Sequence, residues 1–573
     1  MVGIKLRIKL PKATMERLTN VDNQAIYYNA NIYTMDNAGA AGCSGSSGSA
    51  EDRIMRRASA IAVRDEKIVA VGTYADVQSA LTGGYRKVDL QGLTVVPGFT
   101  DCHIHLLWYA LKSRQVDLGD VESIEDVKTK IREKASQSKE GEWIIGYGWS
   151  DHQFGNCCPH REQLDEVAPD NPVALSSKDR HSKWVNSLAL AMEGINKDTP
   201  DPDGGVIERD PKTHEPTGIL RENAQLLIDR VIPVPDSRAS KEAITGIIPY
   251  LHQLGIVGIH DCGDEISFSV LAELLAEDNL NLRVCEMIPL SNLDAAIKLG
   301  IRTGFGNCHL RIGPVKTFVD GALGSGTASL LEPYQDDPDN LGVCAITEGE
   351  LKDIIIRASE SGVSVATHAI GDRAVRMALD AFEKSRSLGK PNNAQHLRHR
   401  IEHAQLVSPI DVPRFASLDV IASIQPIHAT SDRYMADKAW GERSSIGYPM
   451  KSLANNGVRL AFGADAPIEE PDPIAGIFAA ATRKRHDELS QPGWHAEQCL
   501  SVEEAVRGYT IGAAYASGEE SIKGSITPGK LADFVILSKD IFTVNHLEIA
   551  TTEILGTVVG GRVVFDKIGL NRT

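Results

Sequence analysis

The chain has no run of about 18 apolar residues, the length a helix needs to cross a bilayer. Its first residues, M-V-G-I-K-L-R-I-K-L-P-K, break every apolar stretch with Lys or Arg, so no signal-peptide h-region forms. These two absences make the cytoplasm the expected location. Positive charge is scarce too: 60 Lys and Arg stand against 77 Asp and Glu, a formal net charge of −17. A surface that negative repels phosphate backbones and anionic headgroups, so no nucleic-acid and no membrane partner is expected. Cysteine supplies no disulfide framework. Nine are scattered over 573 residues, and the adjacent Cys157 and Cys158 lack the C-x-x-C spacing of a zinc site.

What is present divides by its punctuation. A chain of 573 residues exceeds what one core normally supports, and its 42% hydrophobic content can fill a large domain and a smaller one. Residues 1–24 are polar and aperiodic, an extension. Strand-like runs follow at 25–35, 58–72 and 88–97, with Asp65-Glu66-Lys67 as a hairpin signal inside the second. A Gly/Ser/Ala tract between the first two reads as a surface loop. The C-terminal end carries matching runs at 530–537 and 558–566. Each cluster alone leaves an apolar face uncovered, so a composite β-sandwich is expected from 25–97 plus 525–573.

Between them, over 98–524, eight short apolar runs alternate with helix-like segments: P-G-F-T-D-C-H, I-V-G-I-H-D, L-R-V-C-E-M-I, I-G-P-V-K-T-F-V, V-S-V-A-T-H, R-H-R-I-E-H, V-I-A-S-I-Q and V-R-L-A-F-G-A-D. Apolar strands separated by helices form a parallel sheet buried on both faces, and eight such units predict an α/β fold of the (β/α)8, TIM-like barrel type. The stretch from about 110 to 240 breaks the rhythm after the first strand. It is expected to be an insertion that caps the barrel mouth.

Six side chains with metal chemistry sit at the ends of these runs: His103, His105, Lys316, His368, His403 and Asp465. Packing alone rarely places such groups at the C-terminal ends of separate strands, whereas metal and catalytic sites do. His103 and His105 are two apart on one strand, so both rings project to the same side. Imidazole and carboxylate suit Zn2+ better than Mg2+ or Ca2+, and one or two divalent ions are expected. Lys316 is costly to bury as an ammonium and cannot ligate a cation. A carbamate formed with CO2 would instead be an anionic bridge between two metals, and pairing with Asp320 is the structural alternative.

The order of H-x-H, Lys, His, His and Asp on strands one, four, five, six and eight resembles the amidohydrolase superfamily. The phrases V-V-P-G-F-T-D-C-H-I-H, P-V-A-L-S-S-K-D-R-H, D-G-A-L-G-S-G-T-A, T-H-A-I-G-D-R-A, R-I-E-H-A-Q and G-A-D-A-P resemble its family 3 branch, which includes N-substituted formamide deformylases. The likeness runs from about 25 to 566. It implies a metal-dependent hydrolase cleaving a C–N bond of an amide or formamide-type small molecule, and it favours a homodimer. Asp465 is the expected proton shuttle between the metal-activated water and the leaving nitrogen. His181, matching a D-x-H phrase, is implied as an oxyanion or carbonyl contact. Trp149, Asp151, Glu222, Gln425 and His428 are candidate pocket-lining residues. Lactone, ester or phosphoester hydrolysis is the enzymatic alternative, and a non-catalytic scaffold or sensor the other. Gly326 stands where the branch often has Arg, which removes or reassigns that side chain's role.

Overall fold

A computed structural model describes residues 24–36, 57–150, 154, 158–178, 181–233, 235–387, 397–571. The N-terminal extension up to residue 23, the Gly/Ser/Ala tract and Asp151 lie outside these. The chain divides into two compact units, one of 1–106 with 245–573 and one of 107–244.

The larger unit is built on eight strands, β1 (Phe99–Ile104), β2 (Ile256–Asp261), β3 (Arg283–Pro289), β4 (Leu310–Phe318), β5 (Val365–Ala369), β6 (Arg400–His403), β7 (Ile421–Ile424) and β8 (Leu460–Phe462). Each pairs with the next in parallel from β1 to β8. β1 and β2 are buried at every position, as strands covered on both faces must be. The barrel closes just beyond β8: the Asp465 N–H donates to the His103 carbonyl (2.7 Å), and the His105 N–H donates to the Ala466 carbonyl (2.8 Å). Gly463 makes this approach possible, because a Cβ there would stand 2.5 Å from the His103 nitrogen. The first and last strands are thus stitched together by the segments that carry His103, His105 and Asp465.

Helices cover the outside by the usual amphipathic logic. The helix Asp372–Ser387, which follows β5, buries Ala374, Val375, Ala378, Leu379, Ala381 and Phe382 at spacings of one face. Truncating Phe382 to Ala would cost about 3–5 kcal/mol by cavity formation.

The terminal strands form one sheet. Where a sandwich is expected, hydrogen bonds join Arg562–Asp566, Ile554–Val559, Phe534–Leu537, Thr94–Pro97, Gln24–Tyr33, Arg57–Arg64 and Lys67–Gly72 in that order, with Arg86–Asp89 also paired to Gln24–Tyr33. Tyr27, Ile61, Val95, Phe534, Ile536 and Val558 from one face share a single core. Asp65, at φ 54°, makes the tight turn between Arg57–Arg64 and Lys67–Gly72.

The smaller unit has its own six-stranded sheet, ordered Gly205–Arg209, Pro216–Glu222, Ser182–Val185, Val173–Ser177, Ile144–Trp149, Val116–Asp117. Among the described residues no helix is long and apolar enough to cross a membrane.

Candidate metal centre at the barrel mouth

The C-terminal ends of β1, β4, β5, β6 and the turn after β8 bring six groups into one neighbourhood. His103 Nε2 and His105 Nε2 each lie 3.4 Å from Asp465 Oδ1. The His103 and His403 ring centroids are 4.8 Å apart, and those of His403 and His368 4.4 Å. Lys316 Nζ stands 3.2 Å from His103 Nε2. Nitrogen or oxygen atoms of His103, His403 and Asp465 lie within 4.8 Å of one another.

The hydrogen bonds behind these rings decide which nitrogen faces inward. His103 Nδ1 is 2.6 Å from Glu402 Oε2, and His105 Nδ1 is 3.1 Å from the Cys262 carbonyl. His368 Nε2 is 2.9 Å from the Gly321 carbonyl, and His403 Nδ1 is 2.8 Å from Gln425 Oε1. All four partners are acceptors, so each ring donates its N–H away from the centre. Burial first, then Lys316, pushes the His103 and His368 imidazoles down to about 4, and burial holds His403 well below its ordinary value. A neutral ring with one N–H committed has its other nitrogen as a bare lone pair. Lone pairs and a carboxylate converging without a proton to share repel one another unless a cation lies between them. This donor set fits a divalent metal, with the outward N–H bonds orienting the ligands.

Electrostatics maintain that state. Burial raises Asp465, and only positive charge on the surrounding His103, His105, His403 and His428 outweighs it and holds the carboxyl well below the usual range; with those rings neutral, a bound cation would take that part. Glu402, also fully buried, is kept ionised by Arg400 and His103. Arg400 Nε lies 2.5 Å from Glu402 Oε1, and its NH1 donates to His260 Nδ1 (2.8 Å). His260 is therefore a partner of Arg400. Burial pushes Asp101 up to about 8; its Oδ1 accepts the His103 N–H at 2.9 Å.

Backbone strain concentrates here. His403, Ala404 and Asp465 have φ of 73°, 44° and 59°, a left-handed region that costs non-glycine residues of order 1–3 kcal/mol each and persists where surroundings enforce it. For His403 the consequence is specific. Arg400 and Glu402 point inward, so strict alternation would turn His403 outward, and the left-handed backbone brings its ring back toward His103.

The other sequence-derived candidates either stand behind the ligand rings or belong to the smaller unit. Gln425 contacts the His403 ring from behind. His428 is buried, stacks parallel to His403 at 6.4 Å, and accepts from Gln405 Nε2 at 3.4 Å. Lys316 makes no ion pair with Asp320 among the described residues; Asp320 instead accepts the N–H groups of Ser329, Ile370 and Gly371. In the smaller unit, Trp149 is fully buried among Phe154 and Trp184 and donates to the Leu175 carbonyl (2.8 Å), which makes it a core residue of that unit. His181 is exposed and its Nδ1 sits 3.0 Å from Glu222. Glu402, Arg400 and Asp101 are the functional side chains that sequence reading missed. The one available signal was Glu402 abutting His403.

A parallel barrel whose mouth gathers imidazoles and a carboxylate in this way defines a metal-dependent hydrolase. The family model of the amidohydrolase family, Amidohydro_3, matches residues 86–565, and the chain belongs to that family. It is 34% identical to the protein YtcJ of Bacillus subtilis (strain 168) over 89% of this chain and 96% of that one. It is 28% identical to the N-substituted formamide deformylase of Arthrobacter pascens, over 89% and 96%. A crystal structure of an uncharacterized metal-dependent hydrolase from Pyrococcus furiosus superposes with a TM-score of 0.74 at 30% identity, covering 91% of this chain and all (100%) of that one.

Proposed function

We propose that this hydrolase cleaves the C–N bond of an amide or formamide-type small molecule, using Zn2+ held by His103, His105, His368, His403 and Asp465, with Lys316 as a carbamate. The single observation that carries the reading is the convergence of the inward lone pairs of His103 and His105 on Asp465 Oδ1, both at 3.4 Å. A bound divalent ion supplies Lewis acidity to a scissile carbonyl and makes water a competent nucleophile near neutral pH.

The residues do the rest. Glu402 and Gln425 lock the tautomers of His103 and His403. Cys262 and Gly321 do the same for His105 and His368 through their carbonyls. Asp465, ionised and within reach of both β1 imidazoles, takes the proton of the attacking water and returns it to the departing nitrogen, which must leave as a neutral amine. Lys316, buried beside His103 and Phe318, would add an anionic donor to the same set once carboxylated. The similarity to an N-substituted formamide deformylase supports the C–N assignment.

The test is a panel of N-substituted formamides, N-acyl amino acids, esters and lactones, run with and without chelator. Chelator-sensitive release of amine from an amide is expected. Chelator-insensitive turnover would overturn the metal assignment, and turnover confined to esters or lactones would overturn the C–N assignment.

A further inference from the structure

We propose a second metal site, remote from the barrel mouth, in which Glu66, Cys308 and His309 hold a structural Zn2+ that clips the terminal sheet to the entry of β4. One oxygen of Glu66, the Cys308 thiol and one ring nitrogen of His309 lie within 4.8 Å of one another. Glu66 belongs to the turn between Arg57–Arg64 and Lys67–Gly72, while Cys308 and His309 immediately precede β4. They therefore sit at the N-terminal end of a barrel strand, whereas the six groups at the mouth sit at C-terminal ends.

The donor chemistry is that of zinc: thiolate, imidazole and carboxylate are its three ordinary protein ligands. Tetrahedral zinc with bonds of about 2.0–2.3 Å holds its donors roughly 3.4–3.6 Å apart. The trio needs only a side-chain closure of about 1 Å, which Glu66 at a hairpin turn can make. Glu66 and His309 line a recess of about 40 Å3 together with Asp278, Leu280 and Arg562. That exceeds the roughly 10–15 Å3 one water-sized sphere requires.

An independent observation points to a ligand. His309 Nδ1 is buried and has no hydrogen-bond partner. The ring's hydrogen bond goes to the Leu280 carbonyl, and a carbonyl can only accept, so the other nitrogen carries the proton. That is the arrangement by which metal-ligating histidines are oriented, with N–H to a backbone carbonyl and a bare lone pair toward the ion. The Arg283 guanidinium does not repel an ion with its full charge, because Asp533 accepts from both its Nε (2.5 Å) and NH2 (2.8 Å). On binding, the Cys308 S–H bond is replaced by a sulfur–zinc bond and the proton passes to solvent.

The experiment compares the full chain with Cys308→Ser and His309→Gln, each loaded with Zn2+ and freed of excess ion. The wild type should retain one more equivalent of zinc per chain than either variant, with turnover unchanged. Replacement by Co2+ should give a thiolate-to-metal charge-transfer absorption that survives in Cys262→Ser, the control for the cysteine near the barrel mouth, and disappears in Cys308→Ser. Should Cys308→Ser fail to fold, His309→Gln carries the same comparison. Equal zinc content in all chains overturns the site, as does a wild type without the charge-transfer band or a band that tracks Cys262.

Discussion

Glu402 Oε2 lies 2.6 Å from His103 Nδ1 across 299 residues of chain, and the same carboxylate is paired with Arg400. One buried anion thus orients a candidate metal ligand and neutralises a buried cation. Glu402→Gln keeps the shape and loses both charges' balance. The expected result is a 10–100-fold weaker metal affinity, from a misoriented and less basic His103, read by competition with a chromophoric chelator. Stability should also fall by roughly 3–5 kcal/mol, because Arg400 is left unpaired in the interior. Wild-type affinity in a folded Glu402→Gln chain would detach Glu402 from the site.

Asp465 Oδ1 faces the inward nitrogens of His103 and His105, each at 3.4 Å. In Asp465→Asn the four histidines still offer lone pairs, so most of the metal should remain while kcat drops about 10²–10⁴-fold, the usual worth of a positioned general base. Metal content and kcat must be measured on the same preparation. Unchanged kcat with metal present would remove the proton-shuttle role.

Lys316 Nζ approaches His103 Nε2 from within a buried strand. A carbamate there should appear as a 13C resonance when the protein is loaded with metal under 13CO2, and Lys316→Ala should lose both that signal and part of the bound metal. Short carboxylates should restore some of the loss. A wild-type chain with full metal and no carbamate signal would leave Lys316 as a plain amine.

The sequence pattern carries the barrel because each strand is a continuous apolar run, and burial on two faces leaves that composition in plain view. It carries the inward groups on β1, β4, β5 and after β8 because strand ends point at the mouth. It does not carry Glu402, since neighbouring Glu402 and His403 belong to opposite faces until a left-handed φ of 73° at His403 overrides alternation. Trp149 shows the opposite failure: its local sequence gives no hint that Phe154 and Trp184 enclose it. The terminal strands are visible one by one, but their pairing into one sheet depends on Phe534–Leu537 meeting Thr94–Pro97, a contact over 400 residues that no local pattern encodes.

Arg283 and Asp533 make that long-range junction concrete. A fully buried guanidinium at the start of β3 is held by the carboxylate just before the strand Phe534–Leu537, whose Oδ1 also accepts the Gly560 N–H at 2.7 Å. Asp533→Ala strips the partner and leaves the cation buried. The expected cost is about 3–5 kcal/mol, measured as a lower urea midpoint, whereas turnover of the surviving folded fraction should be near normal because the mouth is untouched. A midpoint within error of wild type would mean Arg283 finds other acceptors.

His399 gives the protein an acid-sensitive core position away from the metal. Its Nδ1 accepts the Val365 N–H at 3.2 Å and its ring packs on Phe382, so protonation would set two N–H groups face to face. Burial lowers this imidazole from 6.5 to about 4. Between those values the unfolded chain binds more protons than the folded one, so stability rises with pH across the window and is lost as pH falls from about 6.5 toward 4. The shift corresponds to a ceiling of roughly 3 kcal/mol. In His399→Gln the amide oxygen can still accept from Val365 but does not titrate. Urea midpoints at pH 7 and pH 4.5, with chelator in every arm, should therefore converge more closely in the variant than in the wild type. Parallel acid losses in the two chains would place the sensitivity elsewhere, with His252, lowered to about 4 by burial despite its hydrogen bond to the Asn281 carbonyl, as the next position to substitute.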